Sequence, residues 1–231
     1  MKNKKSAIIE HYINRVKNFN IPEYQVLDWE SKEAQELRFK TLIEYFNMES
    51  SILLDVGCGL GNLAEYLDNK NIKLYYIGID IMPEMIERAK AKTFKNINPQ
   101  FMSLDFFNNN DIKKEFDYIY SSGIFNLNLG NNDKFLKDAI KLFLTAARKG
   151  VCFNLLDISG KEKYGDKYYY YKKEDILKAT EEILKSLNIK YNLNISDEYL
   201  SNDFSICIYI LAYCFGVFNL SFCCIFNLYN V

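Results

Sequence analysis

Apolar positions in this chain change period repeatedly, and the changes divide it into alternating helices and strands. Over 6–19 and again over 31–47 they recur at helical spacing, and Ser31 stands where it can cap the second helix, which carries Leu37, Leu42, Ile43 and Phe46. The apolar run 51–56 reads as a strand followed by a helix over 61–69. Leu74-Tyr75-Tyr76-Ile77-Gly78-Ile79 is a second strand ending at Asp80, and Pro83 falls in the first turn of the next helix, where a missing N–H costs little. Short strands follow around 100–103 and 118–120. A helix from Phe135 to Ala147 leads into a strand over 151–156, and another from Lys173 to Leu187 precedes strands near 189–195 and 203–210. Alternating strands and helices predict a parallel sheet between helical layers, a three-layer α/β sandwich. The link between the last two strands is too short for a crossover, so that pair is expected to be antiparallel.

At 231 residues the chain has room for one α/β domain with additions, and no internal repeat or long linker divides it. The expected boundaries are a helical cap over 1–50, a ligand-binding domain over 51–211 and an apolar tail over 212–231. A net charge of −1 gives no electrostatic reason to expect a nucleic-acid partner. The excess of Lys2, Lys4, Lys5, Arg15 and Lys17 over Glu10 near the start reads as the solvated face of an amphipathic helix. No secretory pattern opens the chain, and Cys58 and Cys152 fall beside or within strands as buried thiols, so a cytoplasmic protein is expected.

From Phe204 to Val231 there is no charged residue. The first part is β-branched and belongs to the last strand. The remainder, interrupted by Gly216, Asn219 and Asn227, favours an apolar segment covering the core over membrane contact through the tail. Cys207, Cys214, Cys223 and Cys224 have neither histidine partners nor a Cys-x-x-Cys pair, so no metal site is expected among them.

Chemistry concentrates in Leu53-Leu54-Asp55-Val56-Gly57-Cys58-Gly59-Leu60-Gly61. A strand, a turn with glycines at alternate positions and a helix is how open α/β sheets bring backbone close to a ligand. Asp55, just before the glycines, repels a pyrophosphate and attracts a ligand bearing an ammonium or a sulfonium. Position 62 is Asn, where the dinucleotide pattern wants a small residue. Asp80, nineteen residues beyond Gly61 at the end of a strand, can accept bonds from both hydroxyls of a ribose.

Taken together, the order of elements, the glycine turn and Asp80 resemble the class I S-adenosylmethionine-dependent methyltransferases from about Ser51 to Ile210. The resemblance implies a Rossmann-like, mainly parallel seven-stranded sheet whose last strand is antiparallel, with S-adenosylmethionine as cofactor. It places the cofactor's ammonium and the loop contacts at Asp55, Gly57 and Gly59, and the ribose at Asp80. Adenine falls at Asp105, with Phe106 or Ile81 on the ring face, and the floor beneath the methyl group at Ser121 and Asn126. After the fourth strand this chain reads Ser121-Ser122-Gly123-Ile124-Phe125-Asn126, without the Asn-Pro-Pro-aromatic or Asp-Pro-Pro-aromatic motif of relatives that methylate nucleobase amines. That departure favours a small-molecule acceptor. Upstream, Trp29 to Phe39 resembles a cover segment of small bacterial methyltransferases, which implies that Arg38 forks onto the cofactor's carboxylate and that Trp29 closes over the site.

Methyl transfer from a sulfonium asks mainly for orientation and exclusion of water, so a dedicated base is optional. The only histidine, His11, lies far in sequence from the cofactor motifs and is expected to serve packing or surface. In the run Tyr168-Tyr169-Tyr170-Tyr171, alternate residues such as Tyr168 and Tyr170 are candidates for a substrate wall. Two other functions fit the same pattern: a non-catalytic protein that binds an adenosyl ligand, and a nucleotide-cofactor oxidoreductase, against which Asp55 argues.

Overall fold

The computed structural model describes residues 4–108 and 115–211, apart from the side chain of Tyr164. They form one seven-stranded sheet. Its strands are β1 (Ile52–Val56), β2 (Tyr75–Asp80), β3 (Gln100–Ser103), β4 (Phe116–Ser121), β5 (Ala147–Leu156), β6 (Tyr191–Ser196) and β7 (Asp203–Ile210), in the order β3-β2-β1-β4-β5-β7-β6. The first five pair in parallel, and β7 runs antiparallel to both β5 and β6. The expected antiparallel pair is therefore present, and the last strand of the chain lies one in from the edge. The order reverses between β1 and β4, which opens a crevice at the carboxyl ends of those strands.

Strand alternation sends successive side chains to opposite helical layers. On one face Leu54, Ile119, Val151, Phe153 and Ile206 pack beneath α6 (Asn132–Ala146) and α8 (Lys173–Ser186) through Ile140, Phe143 and Leu184. On the other, Leu53, Tyr76, Tyr118, Cys152 and Cys207 meet Phe39 and Leu42 of α3 (Lys32–Tyr45), Leu63 and Leu67 of α4 (Asn62–Asn69), and Ile86 of α5 (Pro83–Lys90). The cap expected on α3 is made: the Ser31 hydroxyl accepts from the Ala34 amide at 3.0 Å. Pro83 occupies the first turn of α5 as expected. The short helix α7 (Lys161–Tyr164) lies in the connection between β5 and α8.

A third cluster joins α1 (Lys4–Val16) and α2 (Glu23–Val26) to the crevice, with Val16 and Val26 packed on Leu60, Met82 and Met85. The N-terminal segment thus covers the carboxyl end of the sheet, while α3 belongs to one of the two helical layers. Among the described residues no helix is long and apolar enough to cross a membrane, and no three His, Cys, Asp or Glu side chains gather to hold a metal. The tail over 212–231, with Cys214, Cys223 and Cys224, lies outside the described residues.

Candidate functional site

The crevice holds a cavity of about 380 Å³ bounded by β1, β2, the ends of β3 and β4, and the N-terminal segment. Its floor follows from the glycine turn. Gly57 and Gly59 have φ of +79° and +52°, conformations that side chains resist. A Cβ on Gly57 would lie 2.2 Å from Ile124, and one on Gly59 would lie 2.7 Å from Leu27. The turn therefore serves two ends: the backbone stays close to the cavity, and the covering residues Ile124 and Leu27 sit directly on it.

Two carboxyls face this turn, Asp55 buried and Asp80 half-buried. Asp80 accepts from the Gly59 amide at 3.0 Å through one oxygen and from the Met82 amide at 2.9 Å through the other. Burial pushes its carboxyl up to about 6, opposed by the amides of Met82, Gly59 and Ile81. Asp55 accepts a 2.5 Å bond from the Tyr76 hydroxyl. Burial raises it to about 7, the Tyr76 bond works against the rise, and the charge of Asp80 adds to it. Carboxyls held this high lack counter-charge, and a cationic or hydroxyl-bearing ligand supplies what they lack.

Farther along, Ile81, Asp105 and Phe106 also line the cavity. Asp105 accepts from the Phe107 amide at 3.2 Å and from the Asn108 amide nitrogen at 2.6 Å, while Phe106 packs against Phe143 with ring centroids 5.6 Å apart. At the other end stand Trp29, Asn126 and Tyr168. Three side-chain atoms there are buried with no hydrogen-bond partner among the described residues: the Tyr120 and Ser122 hydroxyls and Oδ1 of Asn126. All three residues line the cavity. Buried polar atoms left unpaired are costly unless a ligand or water completes them.

Three expected contacts are not placed there. Arg38 lies behind the wall: its Nε and a terminal nitrogen donate to Asp203 at 3.0 and 2.6 Å, and its other terminal nitrogen donates to the Ala34 carbonyl at 2.6 Å. With the fork committed, it has no donor pair to offer a cofactor carboxylate. Ser121 spends its hydroxyl on the Val56 carbonyl at 2.8 Å, tying β4 to β1, and its neighbour Ser122 reaches the cavity instead. Tyr170 donates to the Gly165 carbonyl at 3.0 Å and does not line the cavity. The alternation expected for the tyrosine run fails because the segment is no strand; isolated bridges pair only Tyr168 with Leu127 and Tyr171 with Asp157.

The sequence did not single out which residues of the expected cap roof the cavity. Lys4, Ile8 and Tyr12 of α1 close the cavity from above. Asp28 fastens them: one of its oxygens takes bonds from His11 and Lys167 at 2.9 Å and from the Tyr168 hydroxyl at 2.7 Å, while the other lies 2.7 Å from Arg15. Burial opposes ionisation of Asp28, but the bonds from His11, Tyr168, Lys167 and Arg15 prevail and hold its carboxyl far below the usual range. His11 is thus spent on fastening α1 to the loop after β5. The amphipathic pattern of the first helix was the one signal for this roof, and it did not say what the apolar face covers.

A family model described as a methyltransferase domain matches residues 54–144, the stretch that carries the glycine turn, Asp80 and the residues after β4. A Mycobacterium tuberculosis protein named as a methyltransferase is 37% identical over 121 residues, covering 50% of this chain and 70% of that protein. A tRNA (guanine-N(7)-)-methyltransferase of Clostridium botulinum is 34% identical over 107 residues, and this chain spans 49% of its length. Among solved structures, a magnesium protoporphyrin IX methyltransferase of Synechocystis with bound S-adenosylhomocysteine superposes with a TM-score of 0.62 at 15% identity, covering 90% of this chain and 99% of that one.

Proposed function

Because the chain belongs to the S-adenosylmethionine-dependent methyltransferases, we propose that it methylates a small molecule held in the roofed cavity between the glycine turn and Trp29. The observation that carries this reading is the roof. A cavity of about 380 Å³ lined by α1, Trp29 and Tyr168 falls in the lower part of the range for small-molecule sites, roughly 300–1,000 Å³.

When bound, S-adenosylmethionine supplies an activated methyl group on a sulfonium and is left as S-adenosylhomocysteine. Asp55 and backbone carbonyls of the turn around Gly57 and Gly59 would accept from the ammonium, Asp80 would accept from the ribose, and Asp105 with Ile81 and Phe106 would surround the adenine. The donor set fits, since two under-compensated carboxyls meet an ammonium and a diol, and the unpaired atoms of Tyr120, Ser122 and Asn126 receive polar partners at the reacting end. Oδ1 of Asn126 can only accept, so it selects an acceptor molecule that presents an N–H or O–H. Tyr168, Trp29 and Ile124 exclude water. Asp28 is a poor base because four donors stabilise its ionised form. The residues therefore act by orientation.

In this reading residues 1–50 cap a catalytic unit over 51–211. The buried thiols of Cys58, Cys152 and Cys207, none in a disulfide, suit a reducing compartment such as the cytoplasm. The test is transfer of labelled methyl from S-adenosylmethionine to a panel of small phenols, thiols, amines and carboxylates, with total tRNA alongside. Label on a small molecule is expected; label on tRNA alone would overturn the reading.

A further inference from the structure

Behind the Trp29 end of the cavity runs a buried polar chain that none of these ligand contacts uses. Arg38 on α3 and Asp203 at the start of β7 form its centre, both almost wholly buried. Asp203 also accepts from the Asn154 amide nitrogen at 3.1 and 2.9 Å and from the Tyr199 hydroxyl at 2.5 Å. Oδ1 of Asn154, on β5, accepts in turn from the Gly123 amide at 3.0 Å. On its other side the Arg38 guanidinium lies 4.3 Å from the centroid of the Trp29 ring. Trp29 rests on Gly123, where a Cβ would come within 3.0 Å of the indole. The chain closes on itself: Asn154 grips the Gly123 turn from behind, Trp29 covers it from the front, and the Arg38–Asp203 pair holds both.

The turn so held carries the unpartnered atoms of Ser122 and Asn126 on either side of Gly123, next to that of Tyr120 in β4. We propose that Arg38, Asp203 and Asn154 are positioning residues for methyl transfer, which fix the Gly123 turn and Trp29 in register so that those atoms face the reacting ends of cofactor and acceptor. The proposal rests on the reading of the cavity given above. Stability alone does not account for a buried pair of this kind, because well-packed neutral groups of similar volume commonly replace one without loss. A planar fork that stacks on an indole while bonding a carboxylate edge-on is instead suited to fixing an orientation.

Trp29 is the only tryptophan of the chain, so intrinsic tryptophan fluorescence reports on this contact alone. The test compares the full chain with the double variant R38M/D203N, which keeps volume and an acceptor for Tyr199 and removes both charges. The second arm is Asn154→Ser, which leaves the ion pair in place and releases the Gly123 amide. For each folded protein, fluorescence with acrylamide quenching and calorimetry with S-adenosylhomocysteine are measured. In both variants Trp29 emission is expected to move to longer wavelength with stronger quenching, and S-adenosylhomocysteine affinity to fall about tenfold. Should the double variant not fold, Asn154→Ser decides. A folded variant with the parent's emission and affinity would overturn the positioning role while leaving the cofactor reading intact. A parent chain that does not bind S-adenosylhomocysteine would instead overturn the cofactor reading itself.

Discussion

Replacing Asp80 by asparagine preserves volume and removes one carboxylate oxygen from a position where both are in use. The two oxygens accept from Gly59 and Met82, and the same group is placed to take the hydroxyls of a bound ribose. An asparagine offers one acceptor and turns its amide nitrogen toward the other donor, so one backbone N–H is left unpaired at a cost of about 1–3 kcal/mol in stability. Loss of a charged acceptor for a ribose hydroxyl costs about 1.5–3 kcal/mol in binding. At about 1.4 kcal/mol per tenfold, Asp80→Asn should weaken S-adenosylhomocysteine binding by roughly 10- to 150-fold. The assay is isothermal calorimetry on a variant shown to be folded by circular dichroism. A dissociation constant within about threefold of the parent's would remove Asp80 from the binding site and with it the orientation assigned to the cofactor.

Cofactor affinity should rise with pH, because Asp55 and Asp80, raised by burial to about 7 and about 6, release protons when an ammonium and hydroxyls engage them. Without ligand the same two groups hold protons that the unfolded chain has already released above its ordinary carboxylate range, so their contribution to stability is fullest below about pH 4 and is lost as pH rises toward 7. A titration with S-adenosylhomocysteine between pH 5.5 and 8 checks the binding half, and a flat dissociation constant would contradict it. Ser121→Ala should cost about 1 kcal/mol of stability through the lost bond to Val56 and leave cofactor affinity unchanged, whereas Ser122→Ala, which removes a buried hydroxyl without a partner, should hold or raise the melting temperature and alter binding; thermal melts with and without S-adenosylhomocysteine separate the two. A chain ending after Leu211 retains all seven strands and should bind S-adenosylhomocysteine with the parent's affinity, and an unfolded product would show that the last twenty residues pack on the core.

What the sequence made legible was local in origin. The glycine turn and Asp80 lie at the ends of two adjacent strands, so spacing alone places them together, and β3 and β7 occupy the residues their patterns mark. The Ser31 cap is likewise a matter of neighbours. The pairing of Arg38 with Asp203 is not legible in the sequence, because the two stand 165 residues apart and nothing in the chain announces it. Ser121 and Ser122 differ by one step of strand alternation, and only the sheet decides which of them turns inward. The roof over the cavity depends on Asp28 gathering groups from α1 and from the loop after β5, a junction between segments that no periodicity connects.

The most direct measurement is a crystal structure of the chain with S-adenosylhomocysteine. The ribose hydroxyls should lie on Asp80, the adenine beside Ile81 and Asp105, and the thioether sulfur toward Ser122 and Asn126, with space for an acceptor beneath Trp29 and Tyr168. A ligand bound outside the roofed cavity, or one with its adenine beneath Trp29, would contradict the account.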